Sequence, residues 1–375
     1  MRILQVGKFY HPYRGGIETV LKSLCDGLCE LGHDVRCLVA NSRAVTSTEI
    51  IDRVEVLRVA SFGTISSVSI APQFPLVLRA LARWADVVHI HQQNPLADLA
   101  VLLTRPAVPL VVTCHSGIVR QRIGRSLWNP VLSAVWRRAK QVVVASPPLA
   151  TALGWRKPSG LTVIPFGIDV ERVGSWDEGH FRNQEATPLI LSVGRLVSYK
   201  GFEYLIDALA RLPGARLVLV GEGPLKNSLR KRAERLGLAG RIEFTGLVSA
   251  DRLADLYRRC AVFVLPSVTT AEAFGLVQLE AMAHGKPIIS TDLPTGVPWV
   301  NRHGETGYVV KPRSVEDLAQ ALTTLLQDSA LRMQMGVAGR RRVEKEFTVR
   351  RMVTRYAELY SRVSPGESGQ GAEGR

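Results

Sequence analysis

One feature limits the fold more than any other: short apolar runs alternate with longer stretches of helical period, twice over, on either side of a polar segment. The first series contains the strand candidates RILQVG, DVRCLVA, VEVLRV, DVVHIH, PLVVTC and QVVVAS. Helical stretches separate most of them, such as 17–31, where Leu24, Leu28 and Leu31 share one stripe. The second series reads LILSVG, RLVLVG, RIEFTG, AVFVLP and PIIST. Strands that alternate with helices build parallel sheets. The expected class is therefore α/β: two Rossmann-like, doubly wound parallel-sheet domains facing across a cleft. A chain of 375 residues also exceeds the size at which single cores stop growing. The expected boundaries are residues 1–168 and 188–347, joined by a linker at 169–187 around the polar GSWDEGHFRNQEATP. An amphipathic helix at about 348–362 is expected to pack back on the first domain. The Gly- and Ser-rich tail, 364–375, is expected to be disordered.

In open parallel sheets, ligands bind beyond the carboxyl ends of strands. Several chemistry-bearing residues fall there. Gly15 and Gly16 follow the first strand and its loop, and His115 follows PLVVTC. Gly194 and Arg195 follow LILSV, Gly221 and Gly223 follow LVLV, and Glu272 follows VFVLPS. Each has a plainer reading. A glycine pair before a helix binds phosphate through backbone N–H groups, but it also makes an ordinary turn. Arg195 and Lys200 span a strand-to-helix loop and could neutralise a diphosphate, or simply be solvated cations. The GEG of 221–223 lacks the third glycine of the dinucleotide fingerprint, so NAD is poorly supported. A strand-end histidine is as often structural as functional.

The stretch TTAEAFGLVQLEAMAHGKP, residues 269–287, runs from a polar loop into an apolar helix and carries Glu272 and Glu280. At a helical rise of about 1.5 Å per residue, the eight-residue separation spans roughly 12 Å. That is too far for two carboxylates sharing a proton and longer than glycosidase spacings. It suits two anchors at opposite ends of one extended ligand. Glu280 lies among apolar residues, so its carboxylate needs a partner, a ligand or solvent.

Charge narrows the partners. The net charge is +15, and no Asp or Glu occurs from Leu99 to Ile168. The region 116–141 mixes Arg120, Arg122, Arg125, Arg137, Arg138 and Lys140 with Trp128 and Trp136. That composition suits either an anionic membrane surface, as an acceptor-side face, or a core helix with a charged exterior. No zinc-finger or RNP-type motif accompanies it, which argues against nucleic acid. The five cysteines show no CxxC spacing, and no Asp-x-Asp triplet offers a metal–diphosphate site. The expected location is cytoplasmic, extending to peripheral attachment at the inner face of the membrane.

Taken in this order, Gly15–Gly16, His115, Arg195 with Lys200, and EAFGLVQLE resemble glycosyltransferase family 4, the retaining GT-B transferases marked by a Glu-x7-Glu pair. GRLVSYKG, GEGP and GETGYVVKP fit the same pattern, and the resemblance runs to about Tyr360. It implies that Glu280 holds the ribose hydroxyls of a nucleotide-diphosphate sugar. Glu272, with the backbone of Phe274, Gly275 and Leu276, would grip the sugar and pyrophosphate. Arg195 and Lys200 would neutralise the diphosphate, with Gly16 close to it, and His115 would sit by the sugar. It further implies no cofactor and no required metal, and transfer of a hexose to a glycan or lipid-linked glycan in envelope polysaccharide synthesis. The wording TGVPWVNRHGETG leans toward a GDP-mannose type of donor, with UDP-glucose types open. A sugar-nucleotide epimerase and a non-catalytic nucleotide-sugar-binding protein are the alternatives.

Overall fold

The computed structural model describes residues 1–13, 15–65, 68–115, 122–153, 158, 160–173 and 187–364, with 122–127 as backbone only. Arg120, the tail 365–375 and most of the expected linker lie outside the described residues, as do the side chains of Arg122 and Arg125. The chain forms two compact units. One is Met1–Phe166 together with the chain from Val349, and the other is Gly167–Thr348.

The first unit contains β1 (Arg2–Val6), α1 (Gly16–Glu30), β2 (Asp34–Ala40), β3 (Ser47–Ile51), β4 (Val54–Val59) and a small hairpin, β5 (Thr64–Ile65) with β6 (Val68–Ser69). It continues through α2 (Phe74–Trp84), β7 (Val87–Gln92), α3 (Pro95–Thr104), β8 (Leu110–Cys114), α4 (Arg122–Arg138), β9 (Gln141–Val144), α5 (Pro147–Leu153) and β10 (Leu161–Val163). Its eight-stranded sheet has the order β10-β9-β8-β7-β1-β2-β4-β3. Every neighbour is parallel except β3, which runs antiparallel to β4. The strand order reverses between β1 and β7. Gln5 there lies opposite His89, and His91 lies opposite Thr113 of β8. Strands covered on both faces are normally apolar throughout, so these four buried polar residues stand out.

The second unit contains β11 (Leu189–Val193), α6 (Phe202–Ala210), β12 (Arg216–Val220), α7 (Lys226–Arg235), β13 (Ile242–Gly246), α8 (Ala250–Arg259) and β14 (Val262–Leu265). Then come α9 (Leu276–Ala283), β15 (Ile288–Thr291), α10 (Val297–Val300), β16 (Gly307–Val310), α11 (Val315–Gln327) and α12 (Ser329–Glu346). All six strands are parallel, in the order β13-β12-β11-β14-β15-β16. The core joins Ile190, Leu217, Val262 and Ile289 of the sheet to Leu205 and Leu209 of α6 and Leu322 and Leu325 of α11. Here the order reverses between β11 and β14.

The last helix, α13 (Val349–Val363), belongs to the first unit and packs against α1. Its buried residues Met352, Val353, Tyr356, Leu359 and Tyr360 recur at helical spacing along one face. Among the described residues no helix is long and apolar enough to cross a membrane.

Every strand named from the sequence forms. Beyond the β5–β6 hairpin, three strands of the two large sheets were not anticipated: β3, β10 and β16. The first is an edge strand exposed along most of its length, and the other two have only three and four residues. β3 and β10 carry no run of three apolar side chains, and β16 offers only the three at 308–310 behind a glycine.

Candidate active site

In the second unit, the neighbouring strands β11 and β14 flank the reversal, so the loops at their carboxyl ends lie side by side. The first loop carries Gly194, Arg195 and a single 3-10 turn, Ser198–Lys200. The second carries Ser267, Glu272, Phe274 and Gly275 before α9 begins at Leu276. They are joined by the Val268 N–H, which donates to the Tyr199 carbonyl at 2.8 Å. Lys200 Nζ donates to Glu272 Oε2 at 2.5 Å, and Ser267 Oγ donates to the same oxygen at 2.8 Å. Both charged residues are 8% exposed. Burial pushes the Lys200 pKa down, but the Glu272 charge, Tyr199 and the hydrogen bond outweigh it and leave the pKa raised. The ammonium is therefore held charged. Arg195, by contrast, is exposed and makes no side-chain hydrogen bond or ion pair among the described residues.

Glu272 is not helical. Only 276–280 of the stretch between the two glutamates belongs to α9, so the 12 Å span derived from helical rise does not apply. Gly275 makes the break. Its φ of 76° is left-handed, and a Cβ there would lie 2.6 Å from Leu265 Cδ2. Gly221 has an equally local reason, since its Cβ would meet the Gly194 carbonyl oxygen at 2.1 Å. Gly194, Gly221 and Gly223 lie in loops packed backbone against backbone, with Leu196 N–H donating to the Glu222 carbonyl at 2.9 Å. Phe274 is buried beside Trp299 and Phe347, leaving its backbone as the part suited to a ligand. Its carbonyl accepts from Gln278 Nε2 at 2.6 Å. The opening N–H groups of an α-helix have no partner one turn back within it, and in α9 the Gln278 N–H is taken up by the Gly275 carbonyl at 2.9 Å.

Glu280 lies one turn into α9 and is half-buried. Tyr257 of α8 donates its hydroxyl to Glu280 Oε2 at 2.8 Å. Burial pushes the Glu280 pKa up, and the Tyr257 bond partly opposes this. The His284 ring stacks on Tyr257 at 5.1 Å and places Nδ1 2.8 Å from the Glu280 carbonyl. The role of Tyr257 is not legible in the sequence. Twenty-three residues separate it from Glu280, and no local periodicity connects them.

In the first unit, Gly15 and Gly16 stand at the start of α1, where Glu18 is acidic in the first turn. The Glu18 carboxylate lies against Gly15, 2.2 Å from where a Cβ would be. An incoming phosphate would have to share this end with it. His115 follows β8, is 6% exposed and stacks on Phe166 at 4.9 Å. Burial lowers its pKa to about 3, so the ring is neutral. Its Nε2 lies 2.9 Å from His91 Nδ1. His91, His89 and Gln5 also escaped the sequence reading, although polar residues two apart in DVVHIH were the available signal.

The basic face needs one correction. Trp136 is 2% exposed, and its Nε1 donates to Gln92 Oε1 at 2.8 Å, so it is core and not surface. Aromatic burial combined with a satisfied indole N–H explains its position. Trp128 is half-buried, while Arg137, Arg138 and Lys140 are exposed. Arg138 Nη2 donates to the Pro106 carbonyl at 2.6 Å. Among the described residues, no cluster of three or more His, Cys, Asp or Glu side chains is arranged to hold a metal.

Comparison with known proteins agrees with this organisation. Residues 14–172 match the Glycosyltransferase Family 4 model, and residues 177–342 match the Glycosyl transferases group 1 model. The chain is 30% identical to the O-antigen chain mannosyltransferase C of Escherichia coli, over 98% of this chain and 100% of that one. It is 34% identical to the D-rhamnosyltransferase WbpZ of Pseudomonas aeruginosa, over 93% of this chain and 92% of that one. Among solved structures, sucrose-phosphate synthase from Thermosynechococcus elongatus superposes with a TM-score of 0.83 at 24% identity, covering 96% of this chain and 98% of that one. The chain therefore belongs to glycosyltransferase family 4, as a group 1 glycosyltransferase built from two parallel-sheet α/β domains of the GT-B fold.

Proposed function

We propose that this enzyme moves a hexose, with retention of anomeric configuration, from a nucleotide-diphosphate sugar of the GDP-mannose type to a hydroxyl of a glycan or lipid-linked glycan in envelope polysaccharide synthesis. The observation that carries the reading is the buried Lys200–Glu272 pair at the β11/β14 reversal, with Arg195 exposed beside it and Glu280 a short helix away. The curated relatives support the sugar class, being a mannosyltransferase and a rhamnosyltransferase whose names place one in O-antigen assembly.

Glu280 accepts the ribose hydroxyls, oriented by Tyr257. Arg195, Lys200 and the N–H groups at the start of α9 neutralise the diphosphate. Glu272 accepts hydroxyls of the sugar, and His115 lies by the sugar. As the glycosyl–phosphate bond breaks, the bonding electrons go to the diphosphate and positive charge builds on the sugar. Fixed donors on the leaving oxygens stabilise that state. The acceptor hydroxyl attacks the face that the diphosphate leaves, and a departing phosphate oxygen takes its proton. The reaction needs no cofactor and no metal.

The enzyme works in the cytoplasm at an anionic membrane surface. The exposed Arg137, Arg138 and Lys140 and the acid-free segment 99–168 support that placement.

The test incubates purified protein with GDP-mannose or UDP-glucose and short mannose-containing acceptors, with and without EDTA, and reads products by NMR. Sugar transfer with the donor's anomeric configuration, unchanged by EDTA, is expected. An inverted product, a trapped glycosyl-enzyme or interconversion of donors without transfer would each overturn the mechanism.

A further inference from the structure

We propose that a directional chain of buried hydrogen bonds running from Tyr360 through Gln5 and His91 fixes His115 as the tautomer protonated at Nε2, presenting its Nδ1 as the acceptor for a sugar hydroxyl. The ligand rests on the transferase reading above; the tautomer does not.

The chain is continuous and lies wholly within the first unit. His115 Nε2 is 2.9 Å from His91 Nδ1, and His91 Nε2 is 2.9 Å from Gln5 Oε1. Gln5 Nε2 donates to the Tyr360 hydroxyl at 3.0 Å, and that hydroxyl lies 2.6 Å from His89 Nδ1. His89 Nε2 is 2.8 Å from Thr113 Oγ1, which is 2.7 Å from the Tyr356 hydroxyl. All seven side chains are buried. Burial pushes all three imidazole pKa values down, those of His89 and His115 to about 3, so the neutral rings are the relevant forms.

A neutral imidazole donates from one nitrogen and accepts at the other, so one assignment fixes the next. The Gln5 amide oxygen can only accept, which puts the His91 proton on Nε2 and leaves His91 Nδ1 bare. His115 Nε2 must then donate to it, and His115 Nδ1 carries no proton. In the other direction, the Tyr360 hydroxyl accepts from Gln5 and donates to His89 Nδ1, so His89 is also protonated at Nε2. Turning the Gln5 amide over would reverse every one of these bonds together.

Distance selects the sense. O–H donors make bonds near 2.7 Å, whereas N–H donors to oxygen lie nearer 2.9–3.0 Å. The Tyr360–His89 contact has the short spacing of a phenol donating to an imidazole, and the Gln5–Tyr360 contact has the longer spacing of an amide donating to oxygen. Among the described residues, His115 Nδ1 makes no hydrogen bond. Gln5 and Tyr360 are thus positioning residues: α13 delivers a hydroxyl that sets the polarity of a histidine on the far side of two strands.

The full chain labelled with 15N-histidine tests this by long-range 1H–15N NMR, which distinguishes the two neutral tautomers and needs no donor. His89, His91 and His115 are each expected as the Nε2–H form, and an Nδ1–H pattern at His115 overturns the proposal. Gln5→Leu and Tyr360→Phe should each give a tautomer mixture at His115, whereas Tyr356→Phe, at the end of the chain, should leave it unchanged. An unaltered His115 signal in both of the first two variants would refute directional control. With GDP-mannose as probe, Gln5→Leu should raise KM by the reciprocal of the Nε2–H fraction that the spectra report for His115, about twofold for an even mixture, with kcat within twofold, as expected when uniform binding is lost. Gln5→Glu, whose carboxylate when ionised likewise accepts from His91 Nε2, should restore KM toward wild type at pH values where the spectra show His91 still neutral and protonated at Nε2. Equal KM values in wild type and Gln5→Leu would remove the role of Nδ1. Absence of transfer with the expected spectra would count against the transferase reading alone.

Discussion

The two units hold their functional side chains by opposite electrostatic means. In the first, His115 is fixed through neutral groups, with three uncharged imidazoles, an amide, a threonine and two phenols in one buried chain. In the second, Lys200 and Glu272 are fixed by full charges facing each other with Ser267 in support. A neutral chain sets donor and acceptor direction while adding little field. A buried ion pair adds a strong local field but tolerates the loss of neither partner. The difference matches the tasks proposed for them, reading a hydroxyl in one case and stabilising a departing diphosphate in the other.

The largest expected effect comes from breaking the charged pair. Lys200→Ala leaves Glu272 buried without its cation and should cost about 3–5 kcal/mol of stability by denaturant titration. It should also lower kcat/KM by at least about 10²–10³. A variant as stable as wild type would show that the pair is not held as the structure indicates.

Acid should attack the neutral chain first. The folded-state pKa values of His89, His91 and His115 are lowered, so unfolding takes up protons below the unfolded value of about 6.5. Their contribution is intact above that pH and declines as pH falls toward about 3. Each histidine can remove up to about 1.4 kcal/mol per pH unit in this window. Asp98 acts in the other direction, because burial raises its pKa to about 7 and it gains stability as pH falls below that value. Chemical denaturation from pH 7 to 4 should show net loss, and His115→Gln should reduce the slope by up to one proton. A flat profile would contradict neutral burial.

A smaller effect is expected at Glu280. Tyr257→Phe removes a bond that favours the ionised carboxylate, so the Glu280 pKa should rise further. Nucleotide binding should weaken by about 1 kcal/mol, with its acid-side decline moved to higher pH. Calorimetry across pH reads both changes. The smallest effect on stability is expected for Arg137→Ser with Arg138→Ser, within about 0.5 kcal/mol, because both side chains are exposed. That pair should nevertheless lose salt-sensitive binding to anionic liposomes. Unchanged binding would remove the membrane role.

What the sequence disclosed follows from which interactions are local. The βα alternation and the strand-end positions of His115, Arg195 and Glu272 were readable because each depends on a short window. The pairing of Lys200 with Glu272 joins residues 72 apart, and the bond from Gln5 to Tyr360 spans 355. No periodicity encodes such contacts; strand order and the return of α13 create them. Trp136 was misread for a related reason, since an Arg- and Trp-rich helix has the same composition whether its indole faces lipid or a buried glutamine. The glutamates were recognised as a pair, but the left-handed turn at Gly275 that takes Glu272 off the helix was not.

The most direct test of the account is calorimetric titration of GDP, UDP, GDP-mannose and UDP-glucose into the wild-type protein and Glu280→Ala. One nucleotide diphosphate and its sugar conjugate should bind the wild type, with affinity falling about tenfold or more in the variant, a change of at least about 1.4 kcal/mol. Equal binding by both proteins, or no binding by the wild type, would contradict the assignment of the second unit as the nucleotide-sugar site.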